Sequence, residues 1–309
     1  MRKILLAIAF VVLFIRCSTP EQEVYMFSFF QNNGADGLHL AYSYDGQIWT
    51  ALNRNKSFLT PIVGNDKLMR DPCIIKGGDD KFHMVWTISW GEKGIGYANS
   101  VDLISWSDQK YIPVMEHEEL ARNCWAPELF YNKKENQYMI YWSTTIPGKY
   151  PDTDTLGDSG YNHRIYYCKT KDFIDFSSTE ILYDDGFNVI DAHIRFIDDN
   201  YVVFLKNETL KPKPEKNIRI ATSKNLYGNY SSASKPITKN WVEGPTAIKI
   251  NNNWIVCFDI YTENVMGAII SNDLINWDDI SDKIKFPKGT RHGSIFTVKE
   301  SLLNKLLEI

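Results

Sequence analysis

Three acidic residues, Asp71, Asp191 and Glu243, stand at the start of apolar segments that are far apart in the chain. If folding brings these starts together, their carboxyl groups share a partly desolvated space, where charge is costly unless it is paired or functional. Two carboxyl groups, one protonated and one ionised, can cleave a glycosidic bond by acid–base catalysis. A third carboxylate nearby raises the pKa of the acid by like-charge repulsion. These residue types therefore predict acid–base chemistry.

Each motif also has a simpler explanation. Aspartate before proline, as in Asp71-Pro72, is common in turns, and Glu243-Gly244-Pro245 is itself a turn sequence. One such motif alone favours a turn without chemistry. Three motifs in register across a repeated pattern favour a shared catalytic position.

The acids belong to a pattern that occurs five times along the chain. Each copy has a first strand, a turn, a second apolar strand, and a third strand that ends in an acidic or amide residue with an aromatic residue about four positions later. The closing aromatic residues are 47 to 70 residues apart, which is typical of the four-stranded blade of a β-propeller. The first strands are predicted to start at Asp71, Ala126, Asp191, Glu243 and His292.

The two ends of the chain each contain part of a blade. Val24–Phe30 and Leu38–Ser43 resemble a second and a third strand, and His292–Val298 resembles a first strand without partners. Sharing one blade would close the ring and remove free sheet edges. We therefore predict an all-β, five-bladed β-propeller in which the N- and C-terminal strands form one blade. The loops between second and third strands, of which Thr144–His163 is the longest, should form a pocket rim.

The first residues have the features of a targeting segment. Arg2 and Lys3 precede the apolar run Ile4–Ile15, which is too short for a comfortable transmembrane span but suits a signal peptide. Cys17 follows and is a candidate for lipid attachment, although Arg16 stands where a small residue is usual. We expect export to the periplasm or the cell surface, and favour a lipid anchor at Cys17 over plain secretion. The predicted divisions are a signal peptide over 1–16, a tether over 17–23 and one catalytic domain over 24–309.

Charge and cysteine content exclude some functions. Without residues 1–16 the chain keeps 31 basic and 38 acidic residues, a net charge of −7. It has no basic stripe, which argues against a nucleic-acid partner. Four cysteines besides Cys17 lack metal-binding spacing and lie in or beside apolar strands. We expect free core cysteines, with one disulfide left open as an alternative.

The ordered motifs resemble those of glycoside hydrolase family 43, whose members are five-bladed propellers. The resemblance covers nearly all of the chain after residue 16. Ala192 departs from the family, where proline commonly follows the aspartate, but this does not affect the carboxylate. Fructan-cleaving families share the Arg-Asp-Pro motif but need a Trp-Met-Asn-Asp-Pro-Asn-Gly-like nucleophile segment, which is not found over 24–70. The pieces that carry the resemblance are Arg70-Asp71-Pro72, Trp125-Ala126-Pro127-Glu128, Ile190-Asp191-Ala192, Glu243-Gly244-Pro245 and Arg291-His292-Gly293.

The resemblance implies roles for the three acids. Asp71 would be the general base, Glu243 the general acid, and Asp191 the group that orients the acid and tunes its protonation. Positions that usually contact sugar, together with Trp90 on the predicted rim, make up the expected substrate-binding set: Trp90, Trp125, Glu128 and Arg291.

The resemblance also implies a role for one histidine. His292 matches an axial residue that commonly helps to hold a hydrated calcium ion, and a structural Ca²⁺ on the propeller axis is therefore predicted. Calcium prefers oxygen ligands, so a histidine would act through water. The alternative is a histidine that only hydrogen-bonds to the backbone.

The implied activity is that of an exo-acting, inverting glycosidase without a cofactor for its chemistry. It would release a terminal arabinofuranose, xylose or related furanose from an oligo- or polysaccharide. A β-galactofuranosidase of the same family is one alternative. A non-catalytic glycan-binding lectin is another, and retention of all three carboxylates argues against it. A protein-binding scaffold is disfavoured because it would present a flat face.

Overall fold

In the computed structural model, which describes residues 21–309, short antiparallel strands form five sheets around one axis. Antiparallel pairing follows from the turns that connect successive apolar strands of five to nine residues. The architecture is the predicted five-bladed β-propeller. The predicted signal peptide and Cys17 lie outside the described residues. No helix within residues 21–309 combines the length and apolar character needed to cross a membrane.

The elements follow the chain in blade order. Three strands come first: β1 (Glu23–Phe29), β2 (His39–Ser43) and β3 (Thr50–Ala51). Blade 1 contains β4 (Arg70–Lys76), β5 (Phe82–Thr87), β6 (Ile95–Ser100) and β7 (Lys110–Ile112). Blade 2 contains β8 (Trp125–Asn132), β9 (Gln137–Thr145), β10 (His163–Thr170) and β11 (Glu180–Tyr183).

The second half of the chain completes the ring. Blade 3 contains β12 (Val189–Ile197), β13 (Asn200–Asn207) and β14 (Asn217–Ser223). Blade 4 contains β15 (Glu243–Ile250), β16 (Asn253–Ile260), β17 (Val265–Ser271) and β18 (Asp278–Asp279). The chain ends with β19 (Gly293–Lys299) and the helix α1 (Glu300–Leu307), and short 3-10 turns occur at Asn53–Asn55 and Pro151–Thr153.

The ring closes as predicted, because β19 pairs antiparallel with β1. The pairing runs from Glu23 opposite Lys299 to Phe29 opposite Gly293. Blade 5 therefore has the strand order β19-β1-β2-β3, with its first strand supplied by the C-terminus and the other three by the N-terminus. β1 is therefore paired on both sides, with β19 and with β2, and has no free edge.

Acidic residues at the outer turns have a structural role. Asp102 Oδ1 accepts hydrogen bonds from the N–H groups of Ile104 and Ser105 at 2.9 and 2.7 Å. Asp273 makes the equivalent pair to Ile275 and Asn276 at 2.8 Å each. Such carboxylates fix a turn by replacing a backbone acceptor. The third-strand acids of the sequence repeat therefore shape the blades and lie apart from any chemistry.

The hydrophobic core lies between neighbouring blades. Five clusters of buried side chains each join two blades, with Trp86 at the contact of blades 5 and 1 and Trp142 at that of blades 1 and 2. Burial of this apolar surface is the main stabilising contribution to the ring. All four cysteines of the described chain are free and buried, which confirms their predicted place in the core: Cys73, Cys124, Cys168 and Cys257.

Candidate active site

Four first strands contain a β-bulge at the same place, near the propeller axis. The bulged residue has a left-handed backbone, with φ of 52° at Asp71, 46° at Ala126, 54° at Asp191 and 61° at Gly244. The strand register shifts at each of these places. A bulge re-aims the side chains around it and is common beside active sites. The bulges are the local feature that delivers Asp71 and Asp191 into one pocket.

Hydrogen bonds between blades show which residues are equivalent. The N–H group at the bulge position donates to a side chain at the end of the second strand in the preceding blade. The donors and acceptors are Ala126 with Thr87 Oγ1 (2.8 Å), Asp191 with Ser143 Oγ (3.3 Å) and His292 with Asp259 Oδ2 (3.3 Å). His292 therefore occupies in blade 5 the place that Asp71 and Asp191 occupy in blades 1 and 3.

The structure corrects the predicted register of Glu243. The sequence pattern placed Glu243 in step with Asp71 and Asp191, but Gly244 holds that position and Glu243 lies one residue earlier. The physical reason is a close approach, because a Cβ on residue 244 would lie 2.3 Å from the ring of His292. Only glycine fits there, and the longer glutamate side chain reaches the pocket from the preceding position.

Most of the predicted site residues line one axial cavity of about 540 Å³. It lies where the first strands begin, on the face that also carries the loops between second and third strands. Seven of the eight predicted site residues line it: Asp71, Trp90, Trp125, Asp191, Glu243, Arg291 and His292.

Glu128 is the exception, because it does not line this cavity, and its contact with substrate stays a prediction. Its carboxylate is buried and accepts hydrogen bonds from Tyr141 Oη at 2.8 Å and His193 Nδ1 at 2.7 Å. It lines a separate cavity with His193 and Arg195. Glu128 follows the bulge at Ala126 by two residues, which carries it along β8 and away from the mouth of the pocket.

Asp71 is held in its ionised form. Burial alone raises the pKa of Asp71, but the imidazolium of His292, the guanidinium of Arg70 and the hydroxyl of Thr87 together lower it to about 2. Thr87 Oγ1 donates to Asp71 Oδ2 at 2.9 Å, and His292 Nδ1 lies 3.3 Å from Asp71 Oδ1. A carboxylate with these contacts can accept a proton over the whole working pH range.

Asp191 has the opposite character. Burial raises the pKa of Asp191 to about 6, the charges of Glu243 and Asp71 add to that rise, and His292 and Lys206 oppose it. Its Oδ2 accepts the N–H of Gly244 at 3.1 Å. Asp191 is therefore tied directly to the residue that follows Glu243, a position from which it can orient that side chain.

Glu243 is flanked by two cations. Its Oε2 lies 3.2 Å from Lys206 Nζ and its Oε1 lies 3.4 Å from Arg291 Nη2. Each cation also has a carboxylate partner of its own at shorter distance, Glu208 for Lys206 at 2.6 Å and Asp259 for Arg291 at 2.5 Å. The buried positive charges are therefore compensated without Glu243.

Aromatic side chains form one wall of the cavity. The guanidinium of Arg70 lies 4.3 Å from the ring centroid of Trp90, and the rings of Trp90 and Trp125 meet edge to face at 5.5 Å. Tyr161 packs on Trp125 with ring centroids 4.6 Å apart. Trp90 is 45% exposed, so a broad apolar face remains open next to the carboxylates. Such a face suits the apolar side of a sugar ring.

A buried arginine holds the long rim loop over 146–162. Arg164 is 1% exposed and donates to Asn162 Oδ1 at 3.0 Å and Thr153 Oγ1 at 2.9 Å. Its guanidinium also stacks on Tyr150 at 4.2 Å. These contacts fix the loop so that Asp158, Ser159 and Tyr161 line the pocket. The predicted rim is thus an ordered part of the site.

The residues around His292 do not fit a direct calcium ligand set. Burial lowers the pKa of His292, but Asp71 and Asp191 outweigh that effect and raise it to about 9. Calcium prefers oxygen ligands, so His292 would reach a calcium ion only through water. Residues 21–309 contain no group of three His, Cys, Asp or Glu side chains placed to bind a metal ion. Calcium stays a prediction, and no step is assigned to it.

Several pocket residues could not be found in the sequence. Lys206 and Asp259 are the penultimate residues of the second strands β13 and β16, and Glu208 directly follows β13. A charged residue that ends a strand is ordinarily solvated, so nothing in the pattern marks these three as buried. The one available signal is that Lys206 and Asp259 follow apolar runs at the pocket face of the predicted blades.

Comparison with known proteins agrees with the geometry. A family model of the glycosyl hydrolase 43-related group, described as a probable glycosyl hydrolase domain, matches residues 21–303. An alpha-L-arabinofuranosidase of Bifidobacterium longum subsp. longum is 24% identical to the chain. That alignment covers 78% of this chain and 26% of the relative, so this chain spans about a quarter of the relative's length.

Two solved structures share the fold. An alpha-L-arabinofuranosidase from Lactobacillus brevis superposes with a TM-score of 0.55 at 17% identity, covering 69% of this chain and 72% of its own. A GH43_1 enzyme from Xanthomonas citri gives a TM-score of 0.57 at 11% identity, with 79% and 86% covered. At these identities the likeness establishes the propeller and leaves the substrate open.

Proposed function

The chain belongs to the glycosyl hydrolase 43-related family, and from that membership we propose that it is an exo-acting, inverting glycoside hydrolase. Its substrate would be an oligo- or polysaccharide with a terminal arabinofuranose, xylose or related furanose. The observation that carries the proposal is the meeting of Asp71, Asp191 and Glu243, from three different blades, in one cavity. An acid–base pair for glycoside cleavage needs this kind of convergence.

The proposed mechanism assigns one task to each carboxyl group. Asp71, with its pKa lowered to about 2, is ionised and removes a proton from the attacking water. Glu243 delivers a proton to the leaving oxygen as the glycosidic bond breaks, and the anomeric carbon inverts. Asp191 orients Glu243 through its hydrogen bond with the N–H of Gly244. For Glu243 to carry a proton, its contacts with Lys206 and Arg291 must loosen when substrate binds.

Two features support recognition of a terminal sugar. The loop over 146–162 covers one side of the cavity with Asp158, Ser159 and Tyr161. Trp90 and Trp125 provide an apolar surface beside the carboxylates. A cavity closed on one side by this loop and on another by an aromatic wall favours the end of a glycan over its middle.

Arabinofuranose is the favoured sugar because the matched relative from Bifidobacterium longum is named an alpha-L-arabinofuranosidase. Galactofuranose remains the alternative within the family. A lectin is the alternative outside it, and the meeting of Asp71, Asp191 and Glu243 in one cavity argues against it, because a lectin gains nothing from positioned acid–base groups.

A panel of chromogenic glycosides tests the proposal. We expect the purified protein to hydrolyse the aryl arabinofuranoside faster than the xyloside and the galactofuranoside. The Asp71→Asn variant is the inactive control. Fastest release from the galactofuranoside would overturn the sugar assignment. Binding of these glycosides without turnover would establish the lectin instead.

A further inference from the structure

Lys206 is an unusual residue for its place in the repeat. The strand registers pair Thr87, Ser143, Lys206 and Asp259 with the residue before each bulge. The other three side chains each accept a backbone N–H from the next blade. An ammonium group has no acceptor to offer. In blade 3 the hydrogen bond to the next blade is made by Asp191 instead, whose Oδ2 accepts the N–H of Gly244.

The placement of Lys206 is energetically costly. The residue is only 3% exposed, and a buried ammonium group costs several kcal/mol unless its charge is matched. Its Nζ lies 2.6 Å from Glu208 Oε2, 3.2 Å from Glu243 Oε2 and 4.8 Å from the ring centroid of Tyr261. Glu208 in turn also binds Lys216. A small polar residue would serve the blade contact at lower cost, so the lysine points to a role at the site.

We propose that Lys206 and Glu208 form a positioning pair for the carboxyl group of Glu243, an inference that rests on the proposed role of Glu243 as general acid. Lys206 holds Glu243 Oε2 toward the pocket, because its ammonium group attracts the carboxylate across a 3.2 Å contact. Glu208 binds the same ammonium group more closely and limits that effect. Glu243 can then take up a proton without leaving Lys206 as an uncompensated buried charge.

Other charged and titratable groups also act on Glu243. Arg291 contacts its second oxygen at 3.4 Å. The buried or half-buried groups whose charges interact with that of Glu243 are Asp191, Asp259, Tyr261, Arg291 and His292. These groups are the same residues in every variant, so a difference in the pH profile between variants is assigned to the pair.

The two partners are expected to shift the pH profile in opposite directions. When kcat/KM is plotted against pH, the fall at high pH, called the basic limb, follows loss of the proton from the general acid. Lys206→Met removes the positive charge next to Glu243 Oε2, so the basic limb should move up by about one pH unit. In Glu208→Gln the ammonium group is free to bind Glu243 more closely, so the limb should move to lower pH.

Controls separate positioning from general damage. Lys206→Arg keeps the charge and should leave the limb within a few tenths of a unit of the original. Lys239→Met removes an exposed lysine whose contact with Glu263 is 3.7 Å long, and should change nothing. Thermal unfolding of each variant checks the fold. If Lys206→Met does not fold, Glu208→Gln alone tests the inference, because its basic limb is expected to move to lower pH.

Each outcome has a defined meaning. Opposite shifts in Lys206→Met and Glu208→Gln support the pair. Loss of rate in both without movement of the limb, or movement of both in the same direction, overturns the inference while the proposed function stands. Absence of turnover in the unmodified protein on every glycoside of the panel refutes the proposed function itself, and the two failures are therefore distinguishable.

Discussion

Replacing Glu243 by Gln should lower kcat on an unactivated glycoside by at least about 100-fold, because general acid catalysis contributes roughly 10²–10⁴. Asp71→Asn should cause a loss of similar size through the missing base. Neither change alters side-chain volume appreciably, asparagine tolerates the left-handed backbone at residue 71, and Glu243 precedes the bulged Gly244, so both variants should keep the fold. Steady-state kinetics, with circular dichroism to confirm the fold, measures the effect.

The leaving group distinguishes the two roles. A dinitrophenyl glycoside departs without needing a proton, so Glu243→Gln should recover much of its rate on that substrate. Asp71→Asn should not recover, because the water still lacks its base. Equal responses of the two variants to the leaving group would show that acid and base are reversed or misplaced.

Deleting residues from Arg291 to the C-terminus should abolish folding. The deletion removes β19 and α1, and with them the buried side chains Ile295, Phe296, Val298, Leu303 and Leu306. Burial of each such side chain contributes about 1.5–3 kcal/mol. The total approaches the whole stability of a domain, about 5–15 kcal/mol. The unpaired edge of β1 would also be open to aggregation.

A shorter deletion is the matched control. Glu308 and Ile309 lie at the exposed end of the chain, and removing them should leave the melting transition unchanged. Differential scanning calorimetry of the two truncated proteins compares them. A cooperative transition at the original temperature after the longer deletion would contradict closure of the ring through β19.

The sequence was sufficient for the architecture because blade strands are local. β1 and β2 begin and end within one residue of the predicted strands Val24–Phe30 and Leu38–Ser43. The unmatched strands at the two termini could only pair with each other. Apolar patterning, turn residues and closing aromatics all depend on neighbours within about 50 residues. The same locality placed Asp71 and Asp191 correctly at strand starts.

The electrostatic partners of the acids could not be predicted because they depend on contacts between blades. Gly244 is required by the ring of His292, 48 residues later, and this contact displaces Glu243 by one position. Lys206 meets Glu243 across blades 3 and 4, and Asp259 meets Arg291 across blades 4 and 5. Glu128 lies in a motif that matches the family, but the motif does not reveal that the strand carries this residue away from the pocket.

The configuration of the first-formed sugar tests the account most directly. Proton NMR during hydrolysis of an aryl arabinofuranoside, recorded before mutarotation, identifies the anomer that leaves the enzyme. With Asp71 activating water and Glu243 protonating the leaving oxygen, the first signal should belong to the anomer opposite to that of the substrate. Initial release of the same anomer would require a covalent intermediate and would contradict the assignment of Asp71 as a base.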